Sequence, residues 1–245
     1  MSKKIDLYAV ADTKLSDAFD RVVIKIYLNK EKNGSRTYMF CGADPRAGAT
    51  TLAMNVAMSL AKAGWKTILL DADMRKSMQL KKINDEAQEG LADYLMQEVS
   101  LEQVIYHTNH NNMFCIPCGK NVDNPVHMLC SPQMKALLEL LSARFDYVIV
   151  DVPSLGSAVD ASVVASLIDE TVLVAAQGKT LKSRIAQCKE ELETSGANIF
   201  GIVMNRVDEL EYKAYMQNYD YFTKGKYVQR AQKKKMKKKT SDNKR

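Results

Sequence analysis

The sequence predicts an α/β fold, a mostly parallel β-sheet with helices on both faces. Three observations predict it. Short, mostly apolar runs recur at residues 37–41, 66–70, 147–150, 171–175 and 199–204, and strands apolar on both sides belong to sheets covered on both faces. Stretches of helical apolar spacing alternate with these runs, which is the order of βαβ units. Two of the runs lead straight into aspartate, Asp71 and Asp151, at the strand ends where doubly wound sheets take their ligands.

Along the chain, residues 15–29 place apolar side chains at helical spacing, with Ser16 as the expected N-cap. The polar stretch 30–36 reads as a loop before the first strand, 37–41. A Gly/Ala/Pro loop leads into a helix over 50–63, which Gly64 stops. The next strand, 66–70, ends at Asp71. Residues 76–145 read as mostly helical, with a short strand at 113–116 and an amphipathic helix at 133–143. Strand 147–150, helix 161–167, strand 171–175, helix 181–195 ending at Gly196, and strand 199–204 complete the pattern. The organisation expected is an N-terminal helical segment (1–36), one central domain (37–210) and a tyrosine-rich, basic tail (211–245).

Bulk composition narrows the class. The chain has 245 residues, 46% of them apolar and 26% charged, the balance of a globular protein with a sizeable core. Its net charge of +6 is unevenly placed: from Phe222 onward there are eleven Lys or Arg against Asp242 alone, which leaves the body mildly acidic. No run reaches the roughly 18 apolar residues of a membrane helix. The start, Met1-Ser-Lys-Lys, lacks a signal-peptide core, and five cysteines point to a reducing, cytoplasmic setting. Cys115 and Cys118 form a C-x-x-C without a second metal-binding pair, and read as ordinary thiols.

The chemistry concentrates in the segment after the first strand, Cys41-Gly-Ala-Asp-Pro-Arg-Ala-Gly-Ala-Thr-Thr51. Free backbone N–H groups at such a strand-to-helix junction converge on an anion. Gly48 keeps the backbone open and Thr50 offers a hydroxyl to Mg²⁺, but Ala49 stands where a phosphate loop carries lysine. Taken alone, the loop reads first as a plain strand-to-helix turn. Asp71, Asp73 and Asp151 change that reading, because strand-end carboxylates facing the same crevice hold hydrated Mg²⁺ or take a proton from an attacking hydroxyl.

These motifs resemble the cytoplasmic module of bacterial tyrosine kinases (BY-kinases) of capsule and exopolysaccharide synthesis, a P-loop NTPase-like fold. The resemblance spans about residues 15–222. It is carried by Asp44-Pro-Arg-Ala-Gly-Ala-Thr-Thr51, Trp65-Lys-Thr-Ile-Leu-Leu-Asp-Ala-Asp-Met-Arg75, Phe145-Asp-Tyr-Val-Ile-Val-Asp-Val-Pro153, Val159-Asp160-Ala161, the 197–208 segment and a tyrosine cluster.

The resemblance implies ATP and Mg²⁺ as cofactors. Asp44, Pro45, Arg46, Ala47, Gly48, Ala49, Thr50 and Thr51 would cradle the phosphates. Thr50, Asp71 and Asp151 would stand by the metal, Asp73 by the acceptor hydroxyl, and Asn205 and Arg206 by the base. Tyr212, Tyr215, Tyr219, Tyr221 and Tyr227 would be phosphoacceptors; their first three also fall on one helix face, as docking residues do. A membrane-embedded polysaccharide co-polymerase and a homo-oligomer are the implied partners.

Three departures stand out. Ala49 replaces the loop lysine while Arg46 replaces a loop glycine, Ser154 replaces a proline, and the assembly-helix arginine positions hold Asp20 and Val23. Three functions therefore remain open: an active tyrosine kinase, a pseudokinase scaffold of the same machinery, and a surface-locating partitioning ATPase. The six lysines within 233–239 read as a solvated end or as an attachment to an anionic membrane surface. No motif supports specific nucleic-acid binding.

Overall fold

The computed structural model describes residues 4–7, 13–75, 89–208 and 211–212. Eight strands form one sheet: β1 (Lys4–Ile5), β2 (Thr37–Gly42), β3 (Thr67–Asp71), β4 (Tyr106–Thr108), β5 (Met113–Ile116), β6 (Tyr147–Asp151), β7 (Glu170–Ala176) and β8 (Ile199–Asn205). Their spatial order is β1-β4-β5-β3-β6-β2-β7-β8. The six strands from β5 to β8 run parallel. β4 is antiparallel to β5, and β1 follows β4 in direction. The expected P-loop NTPase-like α/β architecture is therefore present, with a two-strand edge of opposite sense.

The helices are α1 (Thr13–Asn33), α2 (Ala49–Lys62), α3 (Leu91–Leu95), α4 (Leu101–Val104), α5 (Pro125–Leu129), α6 (Pro132–Arg144), α7 (Asp160–Ala165) and α8 (Lys182–Thr194). Side chains alternate along each strand, so the sheet feeds two cores. One face packs Tyr38, Phe40, Ile149 and Val172 against α1 and α2 through Ile26, Leu52, Val56 and Leu60. The other packs Met39, Ile68, Leu70, Val148 and Val150 against Leu95, Leu137, Leu141, Val164 and Leu192. β8 departs from this rule: Ile202 and Met204 lie exposed, because β8 is the sheet edge.

Several boundaries differ from expectation for physical reasons. α1 begins at Thr13 rather than after a Ser16 cap, so Ser16 lies within the helix. It also runs through the stretch 30–33 expected as loop. Lys and Glu are strong helix formers, and the helix stops only at Gly34, whose φ of 76° suits the left-handed turn and whose N–H donates to the Lys30 carbonyl. Within 76–145, residues 76–88 lie outside the described set. The remainder holds two strands rather than one, and its helices are short apart from α6, which Ser131 caps by accepting from the Met134 N–H. The N-terminal segment 1–36 joins the sheet through β1.

α1 is anchored by polar and aromatic contacts at the start of the strands. Asn29 donates to the buried Glu170 carboxylate at 2.7 Å and to the Tyr38 hydroxyl at 3.1 Å. Ser35 donates to the same Glu170 oxygen, and Tyr38 donates to the Ile26 carbonyl. Burial, helped by the Glu170 and Asp169 charges, pushes the Tyr38 phenol up to about 12. Beside them Trp65 meets Tyr27 and Tyr147, each at 5.8 Å, and the Lys30 ammonium lies 4.8 Å from the Trp65 ring. Asn29→Ala leaves the buried Glu170 short of a donor. A charge-assisted hydrogen bond contributes about 1.5–3 kcal/mol, so the substitution is expected to destabilise the fold by about that amount, read as a lower urea midpoint at unchanged slope.

Candidate functional site

β2 is the central strand of the site, flanked by β6 and β7. Where β2 ends, the chain turns through residues 43–48 into α2. Gly42 is required at this exit: a Cβ there would sit 2.9 Å from the Asp44 carbonyl oxygen. Arg46 takes φ 64° and Gly48 takes φ 96°, so the loop makes two left-handed steps, the first at a non-glycine residue that adopts this region infrequently. Gly48 is the N-cap of α2 and no side chain caps the helix. The first N–H groups of this 14-residue helix therefore point, with its positive dipole end, toward the crevice.

The far wall of the loop is Asn205, at the end of β8. Its side-chain amide donates to the Ala47 carbonyl at 2.8 Å, and its backbone carbonyl accepts from Gln177. The fit is close: a Cβ on Gly48 would come within 2.2 Å of the Asn205 amide nitrogen. Arg206 follows at φ 57°, exposed, with its N–H on the Asn205 side-chain oxygen. Asn205 is thus part of the loop's frame.

The aspartates stand on the adjacent strands. Asp71 of β3 and Asp151 of β6 are directly paired in register, and Asp151 lies opposite Phe40 of β2. Both are buried, as is Asp73, whose N–H donates to the Asp71 carboxylate at 3.1 Å. The Ala72 N–H donates to the Asp151 carbonyl, so the turn after β3 is pinned to β6. Arg75 completes this turn with a two-pronged pair to Asp160 at the start of α7, both contacts at 2.8 Å. Asp160 is fully buried, and its hydrogen bonds raise the Arg75 pKa further.

The opposite side of the loop is held by α8. Arg184 donates to the Ala43 carbonyl at 3.3 Å and lies 3.7 Å from the Asp44 carboxylate. Ser154, in the position of the replaced proline, shares a 2.7 Å hydroxyl contact with Ser157 and closes a turn there. Cys41, just before the loop, is buried and its thiol is pushed up to about 12 by that burial, which makes it a poor nucleophile at neutral pH.

Every sequence-predicted site residue up to Tyr212 is described. Asp44 to Thr51 form one loop and helix start; Pro45, Arg46, Thr50 and Thr51 are exposed, while Ala47 and Ala49 are buried. Asp71, Asp73 and Asp151 gather at the adjoining strand ends. Tyr212 is half-buried, its N–H on the Asp208 carbonyl; Tyr215, Tyr219, Tyr221 and Tyr227 lie outside the described residues. Sequence reasoning assigned no role to Gly42, Arg75, Asp160 or Arg184. The Arg75–Asp160 pair spans 85 residues, and no local pattern announces such a contact.

The donor set fits a hydrated Mg²⁺–phosphate group. Among the described residues, no three His, Cys, Asp or Glu side chains form a metal cage. Mg²⁺ does not ask for one: it keeps several waters and takes one or two carboxylates plus phosphate oxygens. Two paired aspartates, a helix N-terminus and the Thr50 hydroxyl match that requirement.

A family model described as an AAA domain matches residues 46–195. The chain is 36% identical over 163 residues to the tyrosine-protein kinase CpsD of Streptococcus agalactiae, covering 66% of this chain and 71% of that protein. It is 31% identical over 196 residues to the CpsD of Streptococcus pneumoniae serotype 4, covering 80% and 86%. The kinase domain of the Escherichia coli tyrosine kinase ETK is structurally similar, with a TM-score of 0.72 at 27% identity over 79% of this chain and 77% of that one.

Gly48→Ala is expected to break the loop frame. Alanine at φ 96° is strained by about 1 kcal/mol or more, and its Cβ displaces the Asn205 amide from Ala47. In amide hydrogen exchange, the 43–51 segment should lose protection in this variant while α6 and β6 keep theirs.

Proposed function

The chain belongs to the bacterial tyrosine-protein kinase family, and from that premise we propose that it is an ATP-dependent protein-tyrosine kinase of capsular or exopolysaccharide synthesis. The single observation that carries the reading is the in-register pair Asp71 and Asp151 beside the open loop that Gly48 begins to close. ATP supplies the phosphoryl group, and Mg²⁺ neutralises the charge that develops on it.

The chain's own groups have separate tasks. The N–H groups at the start of α2 bind phosphate oxygens, and Thr50, Asp71 and Asp151 hold the hydrated cation. Asp73 orients the attacking phenol and takes its proton. The Arg75–Asp160 pair fixes the turn that carries Asp73. The acceptors are the tail tyrosines, Tyr212, Tyr215, Tyr219, Tyr221 and Tyr227. The partner is a membrane-embedded polysaccharide co-polymerase, with the polybasic end adding attraction to an anionic leaflet, about 1 kcal/mol per basic residue near the surface.

One observation favours a second reading, a non-catalytic scaffold of the same machinery. Ala49 is buried where a lysine would reach the phosphates, and the loop's cation, Arg46, is exposed on a left-handed step. Phosphoryl transfer depends on positioning and charge stabilisation, and losing one preorganised donor costs about 10²–10³ in rate. Calorimetry with ATP, with and without Mg²⁺, separates the two: absence of binding at millimolar ATP establishes the scaffold.

Ala49→Lys is expected to tighten ATP binding about tenfold to hundredfold, the effect of one charge-assisted contact, and to raise tail phosphorylation. An unchanged dissociation constant would show that the loop does not admit nucleotide. In the kinase reading, Asp73→Asn removes the proton acceptor and keeps the shape of the side chain. Phosphotyrosine measured by mass spectrometry should fall to background while ATP binding persists; undiminished phosphotyrosine removes Asp73 from the reaction.

A further inference from the structure

β8 does not keep a simple register with β7. Thr171 pairs with Ile199, but the next residue, Val172, pairs with Gly201, so the edge strand holds one extra residue, Phe200. A bulge of this kind re-aims the side chains that follow it. Ala176, on the sheet face covered by α1 and α2, pairs with Asn205. Without the extra residue its partner would be Met204, and the Asn205 side chain would fall on the face away from α2.

The re-aimed side chain is held at both ends. Its Nδ2 donates to the Ala47 carbonyl and its Oδ1 accepts from the Arg206 N–H, each at 2.8 Å. Turned about, the amide would set an oxygen against the Ala47 carbonyl and an NH2 against the Arg206 N–H, so the two contacts fix its orientation together. The Gln177 N–H donates to the Asn205 carbonyl and ties the backbone there to the end of β7. The polar atoms with which an asparagine would read a purine are both turned to backbone of this chain.

The Ala47 carbonyl shares its peptide with the Gly48 N–H. That peptide is trans, and in a planar trans peptide the N–H points opposite to the C=O. Asn205, by holding the carbonyl, directs the Gly48 N–H away from β8. The Ala47 N–H is itself held by the Asp44 carbonyl at 3.2 Å, so contacts within the protein fix both sides of the residue. Backbone N–H groups oriented before an anion arrives are what makes such a loop bind it.

We propose that Asn205 is a positioning residue for the phosphates: from the bulged edge strand it sets the direction of the Gly48 N–H, and its contribution is the same whatever base the nucleotide carries. The proposal rests on the reading of the loop as a triphosphate site. It moves Asn205 from the base, where the family resemblance puts it, to the phosphate loop.

The test is calorimetry on the full chain with Mg²⁺ and either ATP, GTP or tripolyphosphate, which has no base. Asn205→Ala should weaken all three about tenfold, the loss of one hydrogen bond, and leave the ratio of ATP to GTP affinity as in the wild type. A loss confined to one nucleotide, with tripolyphosphate spared, would make Asn205 a base reader and overturn the proposal; three unchanged affinities would overturn it as well. Asn205→Asp guards against a disturbed strand, because it has the same shape and still accepts from the Arg206 N–H but cannot donate to Ala47. It should show the same equal loss across the three ligands, enlarged by its charge. In the ligand-free Asn205→Ala protein, amide exchange over 43–51 should quicken while α6 and β6 keep their protection, and unchanged exchange there rejects the proposal. A wild-type chain that binds none of the three refutes the triphosphate reading itself, and the exchange result still decides whether Asn205 holds the loop.

Discussion

The parallel pairing of β3, β6 and β2 is the constraint on which the site depends. Leu70 pairs with Val150 and Asp71 with Asp151, while Met39 and Phe40 pair with Val150 and Asp151. A parallel ladder puts all its C-terminal ends on one edge, so a loop leaving β2 and carboxylates ending β3 and β6 meet without any designed contact between them. A one-residue slip of β3 would turn Asp71 toward the other face, because strand side chains alternate with period two. Close packing opposes that slip, because it would exchange Ile68 and Leu70 of one core with Leu69 of the other. Core packing thus fixes the position of the charges.

The loop's shape and its charge have separate origins. Its shape comes from Gly42, the left-handed steps at Arg46 and Gly48, the Asn205 amide on Ala47, and Arg184 on Ala43. None of these contacts uses the side chain at position 49. A lysine can therefore be absent while the backbone keeps the form that receives an anion. The acidic side of the site is likewise framed independently, through Ala72 on Asp151 and Arg75 on Asp160.

Much of this was legible in the sequence. The central strands are apolar runs long enough to stand out, and Asp71, Asp73 and Asp151 follow two of them directly. What escaped did so for physical reasons. β1 and β4 have two and three residues, too few to display a period, and they exist only because β5 offers an edge. The end of α1 was hidden because Lys30, Glu31 and Lys32 are polar like a loop yet favour helix. The Asn205–Ala47 and Arg75–Asp160 contacts join residues 158 and 85 positions apart. Such contacts follow from topology, and only the completed sheet reveals them.

The anchoring of α1 has a spectroscopic consequence. Trp65 is the chain's one tryptophan, and it lies at the entrance of β3, at the opposite end of that strand from Asp71. Its ring is bounded by Tyr27 and the Lys30 ammonium of α1 and by Tyr147 of β6. Intrinsic fluorescence therefore reads the seating of α1 on the sheet. Detachment of that helix would strip the indole of a cation and an aromatic neighbour and expose it to water, so its emission serves as a clock for that one event, separate from whatever occurs at the strands' far ends.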